Sequence, residues 1–243
     1  MNKQTVIYKD LGIIDYKKAW DYQEQLLQEN VQVKIANRVL TGDDQQPASD
    51  ILQTTTHYLL FCEHPPVYTI GKSGDVENIL ISEEKMQEGG MQFFKTNRGG
   101  DITFHGLQQI VGYPILDLEK FYTDIGKYLR ALEEIIILTL SDYGIKGERS
   151  KGETGVWIEP GIIGRERKIC AMGVRCSRWI TMHGFALNVN NDLSYFNNII
   201  PCGIQDKQVT SIQKELGKEV DFEKVKQTIK YYFEQVFNVN LAD

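Results

Sequence analysis

Two hydrophobic periods alternate in blocks along this chain. Between residues 15 and 30, Tyr16, Ala19, Trp20, Gln23, Leu26 and Leu27 recur at helical spacing behind Asp15, which can cap the first turn. From Asn37 to Asp50 the period is lost among Gly, Asp, Gln, Pro and Ser, which predicts a surface loop. Tyr58 to Cys62 and Val67 to Gly71 are apolar runs of strand length separated by Glu63-His64-Pro65-Pro66. Phe93 to Lys95, Ile102 to His105 and Ile110 to Leu116 continue the strands, with Pro114 marking an edge or a strand end. A long helix follows. Thr123 or Asp124 caps it, Ile125, Leu129, Leu132, Ile136 and Leu140 share one face, and Gly144 stops it. Val156 to Ile158, Lys168 to Val174 and Phe185 to Val189 form a second group of strands. Period-2 alternation puts Lys168, Cys170 and Met172 on one face, and Ile169, Ala171 and Gly173 on the other. Thr210 and Ser211 then cap a short helix ending at Leu216-Gly217. Asp221 opens a last helix striped by Phe222, Val225, Ile229, Phe233 and Val236.

Strands in the middle, with helices at the ends and between, predict an α+β fold of mixed sheets rather than a doubly wound one. At 243 residues and 42% hydrophobic, the chain supports a sizeable core, read as a single domain over residues 1–243. No apolar run nears the ~18 residues of a membrane span. The segment from Met1 to Asp10 lacks the apolar core of a secretory signal, so a cytoplasmic protein without a membrane partner is expected. A formal net charge of -6 argues against nucleic acid as a partner. Cations nevertheless cluster at Lys146, Arg149, Lys151, Arg165, Arg167, Lys168, Arg175 and Arg178. This is either a basic rim for an acidic macromolecule or a set of solvated loop charges. Gly71-Lys72-Ser73-Gly74 lacks the G-x-x-x-x-G-K-S/T frame of a phosphate loop and reads as a turn. Cys62, Cys170 and Cys176 lie in or beside apolar runs and read as small hydrophobes. Together with His183, the last two lack the close-paired spacing of zinc ligands. No cofactor and no metal are called for.

Cys202 differs from the other cysteines. It lies between Pro201 and Gly203, where the backbone must turn and a thiol is exposed at the end of an element. A thiol of ordinary pKa near 8.5 needs a nearby cation or base to act as a nucleophile, and Lys168 is the candidate. As ammonium it favours the thiolate; as a desolvated amine it takes a proton.

Four blocks occur in order: Arg98-Gly99-Gly100-Asp101-Ile102-Thr103-Phe104-His105-Gly106, Lys168 to Arg175, His183-Gly184-Phe185 to Val189, and Pro201-Cys202-Gly203. Over roughly Cys62 to Phe237 they resemble the signature blocks of the octanoyl-acyl carrier protein:protein N-octanoyltransferases of lipoate biosynthesis. The resemblance implies a biotin/lipoyl protein ligase-like fold. It also implies an octanoyl group taken from octanoyl-acyl carrier protein as a Cys202 thioester. The acceptor would be a lysine ε-amine on the lipoyl domains of 2-oxoacid dehydrogenase complexes or on the glycine cleavage H protein. Lys168 matches the family's active-site lysine. Substrate-binding roles are implied for Arg98, Gly99, Gly100, Asp101, His105, Gly106, His64, Gly173, His183 and Gly184, with amides near Cys202 able to form an oxyanion hole. Tyr68, Phe104, Met172 and Phe185 could line an apolar slot or be plain core. The family usually follows His-Gly with Pro-Gly-Gln, whereas this chain has Leu107-Gln108-Gln109, which changes the loop's backbone freedom.

Two other readings compete. An ATP-dependent lipoate or biotin protein ligase would share the fold and a site lysine but need no nucleophilic cysteine. A binding module would hold a lipoyl domain or an acyl carrier without turnover.

Overall fold

A computed structural model of the chain describes residues 3–41, 52–200 and 208–243. The elements run β1 (Gln4–Ile13), α1 (Tyr16–Thr41), β2 (His57–Glu63), β3 (Val67–Ile70), α2 (Glu83–Glu88), β4 (Gln92–Lys95), β5 (Ile102–His105), β6 (Gln109–Ile115) and α3 (Ile125–Asp142). After these come β7 (Val156–Ile158), β8 (Arg167–Ser177), β9 (Ile180–Asn188), β10 (Gln208–Val209), α4 (Ile212–Leu216), α5 (Phe222–Phe237) and β11 (Val239–Ala242). The α+β expectation holds. One sheet has the order β10-β8-β9-β6-β2-β1-β11, with β7 on the free edge of β8, and a three-stranded sheet has the order β4-β3-β5.

Alternation along the central strands explains how the large sheet is sandwiched. Leu59 and Phe61 of β2, Ile110 of β6 and Leu187 of β9 point to α3 and α5, where they meet Leu132, Ile136, Ile229 and Phe233. Leu60 and Cys62, Val111 and Tyr113, and Ala186 point the other way, toward Ala19, Leu27 and Val31 of α1. Asp124 and Asp221 cap α3 and α5 by accepting the backbone N–H of Lys127 and Lys224, and Asp15 accepts that of Lys18. The small sheet has its own cluster of Tyr68, Ile70, Ile102 and Phe104, leaving Thr69, Thr103 and His105 for its other face.

Two expectations change and a third is kept. Helix α1 continues through residues 37–41, which the loss of period assigned to a loop; the rest of that loop, 42–50, lies outside the described residues. Pro114 keeps its expected place at a strand end: it is the next-to-last residue of β6, paired with Leu59 but beyond Gly112, the last β6 residue paired with β9. The His183-Gly184 pair is mid-strand in β9 rather than at a strand end.

Candidate active site

Lys168 and Cys170 face opposite ways. Strand β7 pairs Trp157 with Lys168 and Val156 with Cys170, so two residues of β8, Lys168 and Ile169, oppose one of β7. This is a β-bulge, and it reverses the parity of everything before it. Cys170 and Val156 enter the α3 side of the core, whereas Lys168 joins Ala171 and Gly173 on the opposite face. The expected shared face of Lys168, Cys170 and Met172 is therefore incorrect.

That face borders a cavity of about 400 Å³ between the α1 side of the large sheet and the small sheet. Its floor is a patch of small residues. Ala171 pairs with Ala186, which pairs with Val111, and Gly173 pairs with Gly184. Tyr113 and Tyr16 close one part of the wall; Gln109, Asn188, Glu153 and Trp157 close another. The Lys168 Nζ lies 4.5 Å from the centre of the Trp157 ring, where a cation is attracted to the ring face.

The loop from Arg98 to Asp101 crosses onto β8. The Gly99 N–H donates to the Val174 carbonyl at 2.9 Å. A Cβ on Gly173 would lie 2.6 Å from the Gly99 carbonyl oxygen, so glycine is required for that approach. Arg98 is buried and donates to the Thr69 carbonyl (2.7 Å), the Thr69 hydroxyl (3.0 Å) and the Gly99 carbonyl (3.0 Å). Gly155 plays a similar part at the other end. Its φ is 109°, and a Cβ there would lie 2.5 Å from the Cys170 carbonyl. The buried Glu133 of α3 accepts the Gly155 N–H at 3.0 Å, fixing the loop that brings Glu153 and Thr154 to the cavity.

The histidine tautomers follow from their partners. Gln109 uses its amide N–H groups on Asn188 and Phe104, so its oxygen accepts from His105 Nδ1 at 2.9 Å. His105 Nε2 then accepts from the Thr69 hydroxyl at 3.3 Å. His64 Nδ1 donates to the Ile14 carbonyl at 2.7 Å, leaving Nε2 to accept the Tyr113 hydroxyl at 2.7 Å. His183 bonds Asn97 through Nε2 at 2.8 Å. Burial pushes all three pKa values down, to about 4 for His64, to about 3 for His183 and well below the ordinary range for His105. They are neutral walls at pH 7. Among the described lining residues the basic side chains are thus Arg98, engaged by the small sheet, and Lys168.

The structure gathers Lys168, Arg98, Gly100, Asp101, His105, Gly173, His183 and Gly184 on one cavity. Gly99, Gly106 and His64 do not line it: Gly99 lies behind Gly173, Gly106 packs by the Phe104 ring, and His64 backs Tyr113. Met172 and Phe185 line it, but Tyr68 and Phe104 belong to the small-sheet cluster. Cys202 lies outside the described residues. Described chain brackets it: the Ile200 N–H donates to Asn78, and Gln208 and Val209 pair with Arg167 and Lys168. Trp157, Tyr113, Gln109 and Asn188 were missed from sequence. Gln109, Val111 and Tyr113 alternate along β6, which was the available signal. Among the described residues, Lys146, Arg149, Arg165, Arg167 and Arg175 of the clustered cations pair with carboxylates within the chain, so much of the basic rim is neutralised.

Comparison with known proteins gives a consistent result. The lipoyl protein ligase A/B catalytic domain family matches residues 15–234. An octanoyltransferase of Christiangramia forsetii is 57% identical over 242 residues, covering 99% of each chain. One of Flavobacterium psychrophilum is 59% identical over 239 residues, covering 98% of each. Among solved structures, a bipartite lipoate protein ligase of Thermoplasma acidophilum superposes with a TM-score of 0.69 at 15% identity, covering 100% of this chain and 87% of that one. A lipoate-protein ligase A bound with ATP gives 0.66 at 13% identity, covering 100% and 88%. At such identity the structural likeness speaks for the fold alone.

Proposed function

Because the chain belongs to the octanoyltransferases of the lipoyl protein ligase A/B catalytic domain family, we propose that it moves an octanoyl group from acyl carrier protein to lipoyl domains through a Cys202 thioester. One catalytic domain over residues 1–243 carries the reaction. In the first half-reaction the Cys202 thiolate attacks the carbonyl carbon of the donor thioester. The bond to the carrier sulfur breaks, and the carrier leaves as a thiol with the proton that Cys202 gave up. In the second, the ε-amine of the acceptor lysine attacks the same carbon, the bond to the Cys202 sulfur breaks, and the amine proton returns to that sulfur. A thioester gives way to an amide, so no nucleotide is consumed.

The observation that carries this reading is the placement of Lys168. The bulge turns it into the cavity beside β10, the strand entered six residues after Cys202. The histidines around it are neutral, so Lys168 is the group positioned to favour a thiolate and relay its proton. The patch of Ala171, Ala186, Gly173 and Gly184 leaves room for an unbranched acyl chain along the sheet. Arg98 to Asp101, His105, His183 and Gly184 bound the space for the thioester head; His64, Gly99 and Gly106 support that wall from behind. Lipoyl domains and the glycine cleavage H protein are the acceptors, in the cytoplasm.

The test is intact mass after mixing with octanoyl-acyl carrier protein in the absence of ATP. Wild type gains one octanoyl group, released by hydroxylamine. Cys202→Ala gains none, and Lys168→Met acylates at least ~100-fold more slowly. Full acylation of Cys202→Ala would overturn the mechanism.

A further inference from the structure

Strand β10 is attached to β8 by little backbone. The Gln208 N–H donates to the Glu166 carbonyl at 3.1 Å, and the Thr210 N–H to the Lys168 carbonyl at 3.0 Å. The stronger tie is made by side chains. Arg167, which precedes Lys168, places its guanidinium fork on Glu215 of α4, with Nε to Oε1 at 2.6 Å and Nη2 to Oε2 at 2.7 Å. Its remaining Nη1 reaches the Arg165 carbonyl at 2.9 Å and the Glu159 carboxylate. Glu215 also accepts the Thr210 hydroxyl, and Asn188 from the cavity wall donates to the Thr210 carbonyl at 2.9 Å. Helix α4 is itself anchored by Ile212, fully buried in the main core. Burial pushes the Glu215 carboxyl up, but the bonds from Arg167 and Thr210 outweigh it and hold the group below its ordinary range. Both side chains are mostly shielded, with 20% and 14% of their surface exposed, so the fork is less screened than a surface pair.

We infer that Arg167 and Glu215 are positioning residues of the transfer reaction: their bidentate pair, with Thr210, clamps the strand end that carries Lys168 to the strand entered from the Cys202 segment. Neither residue reaches substrate. Their effect passes through the separation of Lys168 from the thiol, and displacement of a catalytic group by even ~1 Å costs up to ~100-fold. The inference rests on the two-residue mechanism above, and it adds to it the device that fixes the pair.

The experiment follows the rate of Cys202 alkylation by iodoacetamide against pH, read by peptide mass so that the half-buried Cys176 does not contribute. It compares wild type, Glu215→Gln, Arg167→Lys and the double variant, with melting temperatures and transfer kinetics in parallel. Glu215→Gln keeps the shape and loses the charge; Arg167→Lys keeps the charge and loses the fork. Each single variant should raise the alkylation midpoint by about one pH unit toward an ordinary thiol and lower kcat by ~10–100-fold with KM within ~2-fold. The double variant should be no worse than either single one, because the pair acts as a unit. Folded single variants with the wild-type midpoint and kcat would overturn the inference, even where the melting temperature falls. Failure of wild type to acylate from the donor would instead contradict the thioester mechanism, while the alkylation midpoints would still report on the clamp.

Discussion

Gln108 stands at a turn position where the resembled family usually carries glycine. The Gly106 to Gln109 turn closes with a 3.3 Å bond from the Gln109 N–H to the Gly106 carbonyl, and Gln108 has φ 63°. That is the third position of a type II turn, where glycine is the usual residue. Three contacts hold Gln108 there: its N–H donates to Glu63 at 2.6 Å, and its carbonyl and side-chain oxygen accept from Asn190 at 3.1 Å each. A left-handed L-residue costs about 1–2 kcal/mol. Gln108→Gly removes that cost along with one side-chain bond, so denaturant unfolding should show a change within about 1 kcal/mol. Gln108→Val should lose more than this, since a β-branched side chain fits φ > 0 poorly. For Lys168 it was the face of the strand that the sequence misplaced. Lys168 was legible from its block, but the bulge at Ile169 that aims it carries no glycine or proline to mark it. His183 at φ 58° also breaks alternation, here without a shift of register, and it and Met182 both meet α1.

Elements with strong internal period were legible, and those held by distant partners were not. Helices α3 and α5 have caps and apolar stripes in their own sequences, and both appear within a residue or two of the expected bounds. Strand β1 buries only Val6 and exists because β2 and β11 flank it; β10 is two residues long and exists because β8 is there. Among the described side chains, the end of α1 has no buried residue beyond Val31. Asn37 exchanges hydrogen bonds with Gln53, and Lys34 reaches Asp117 and the Arg178 carbonyl, which no local pattern could announce. The cavity floor is likewise a property of pairing. Ala171, Ala186 and Val111 are unremarkable apart, and only register makes them one row. Ala186→Leu puts three more carbons onto that row. Acylation by an octanoyl donor should fall at least ~10-fold more than acylation by a butanoyl donor, as measured by competing the two donors and reading the acyl-enzyme masses.

For the molecule as a whole, buried neutral histidines set an acid limit. His57, His64 and His183 have folded pKa values of about 4, about 4 and about 3, each depressed first by burial. Below an unfolded value near 6.5 the unfolded chain takes up protons that the folded chain refuses. Stability is therefore complete above pH 6.5 and falls as pH drops toward 4, by up to ~1.4 kcal/mol per pH unit for each histidine. Urea midpoints should be level from pH 8 to 7 and decline steadily from pH 6 to 5. A midpoint that held or rose over the lower interval would contradict this reading of the interior. The whole-chain account rests finally on one covalent intermediate, and its most direct measurement is a single-turnover chase. Enzyme acylated with isotope-labelled octanoate is freed of carrier protein and nucleotide, mixed with a lipoyl domain, and both proteins are weighed over time. The account predicts that the label leaves the enzyme and appears on the acceptor lysine at matching rates without ATP. Label that stays on the enzyme, or moves only when ATP is added, would contradict it.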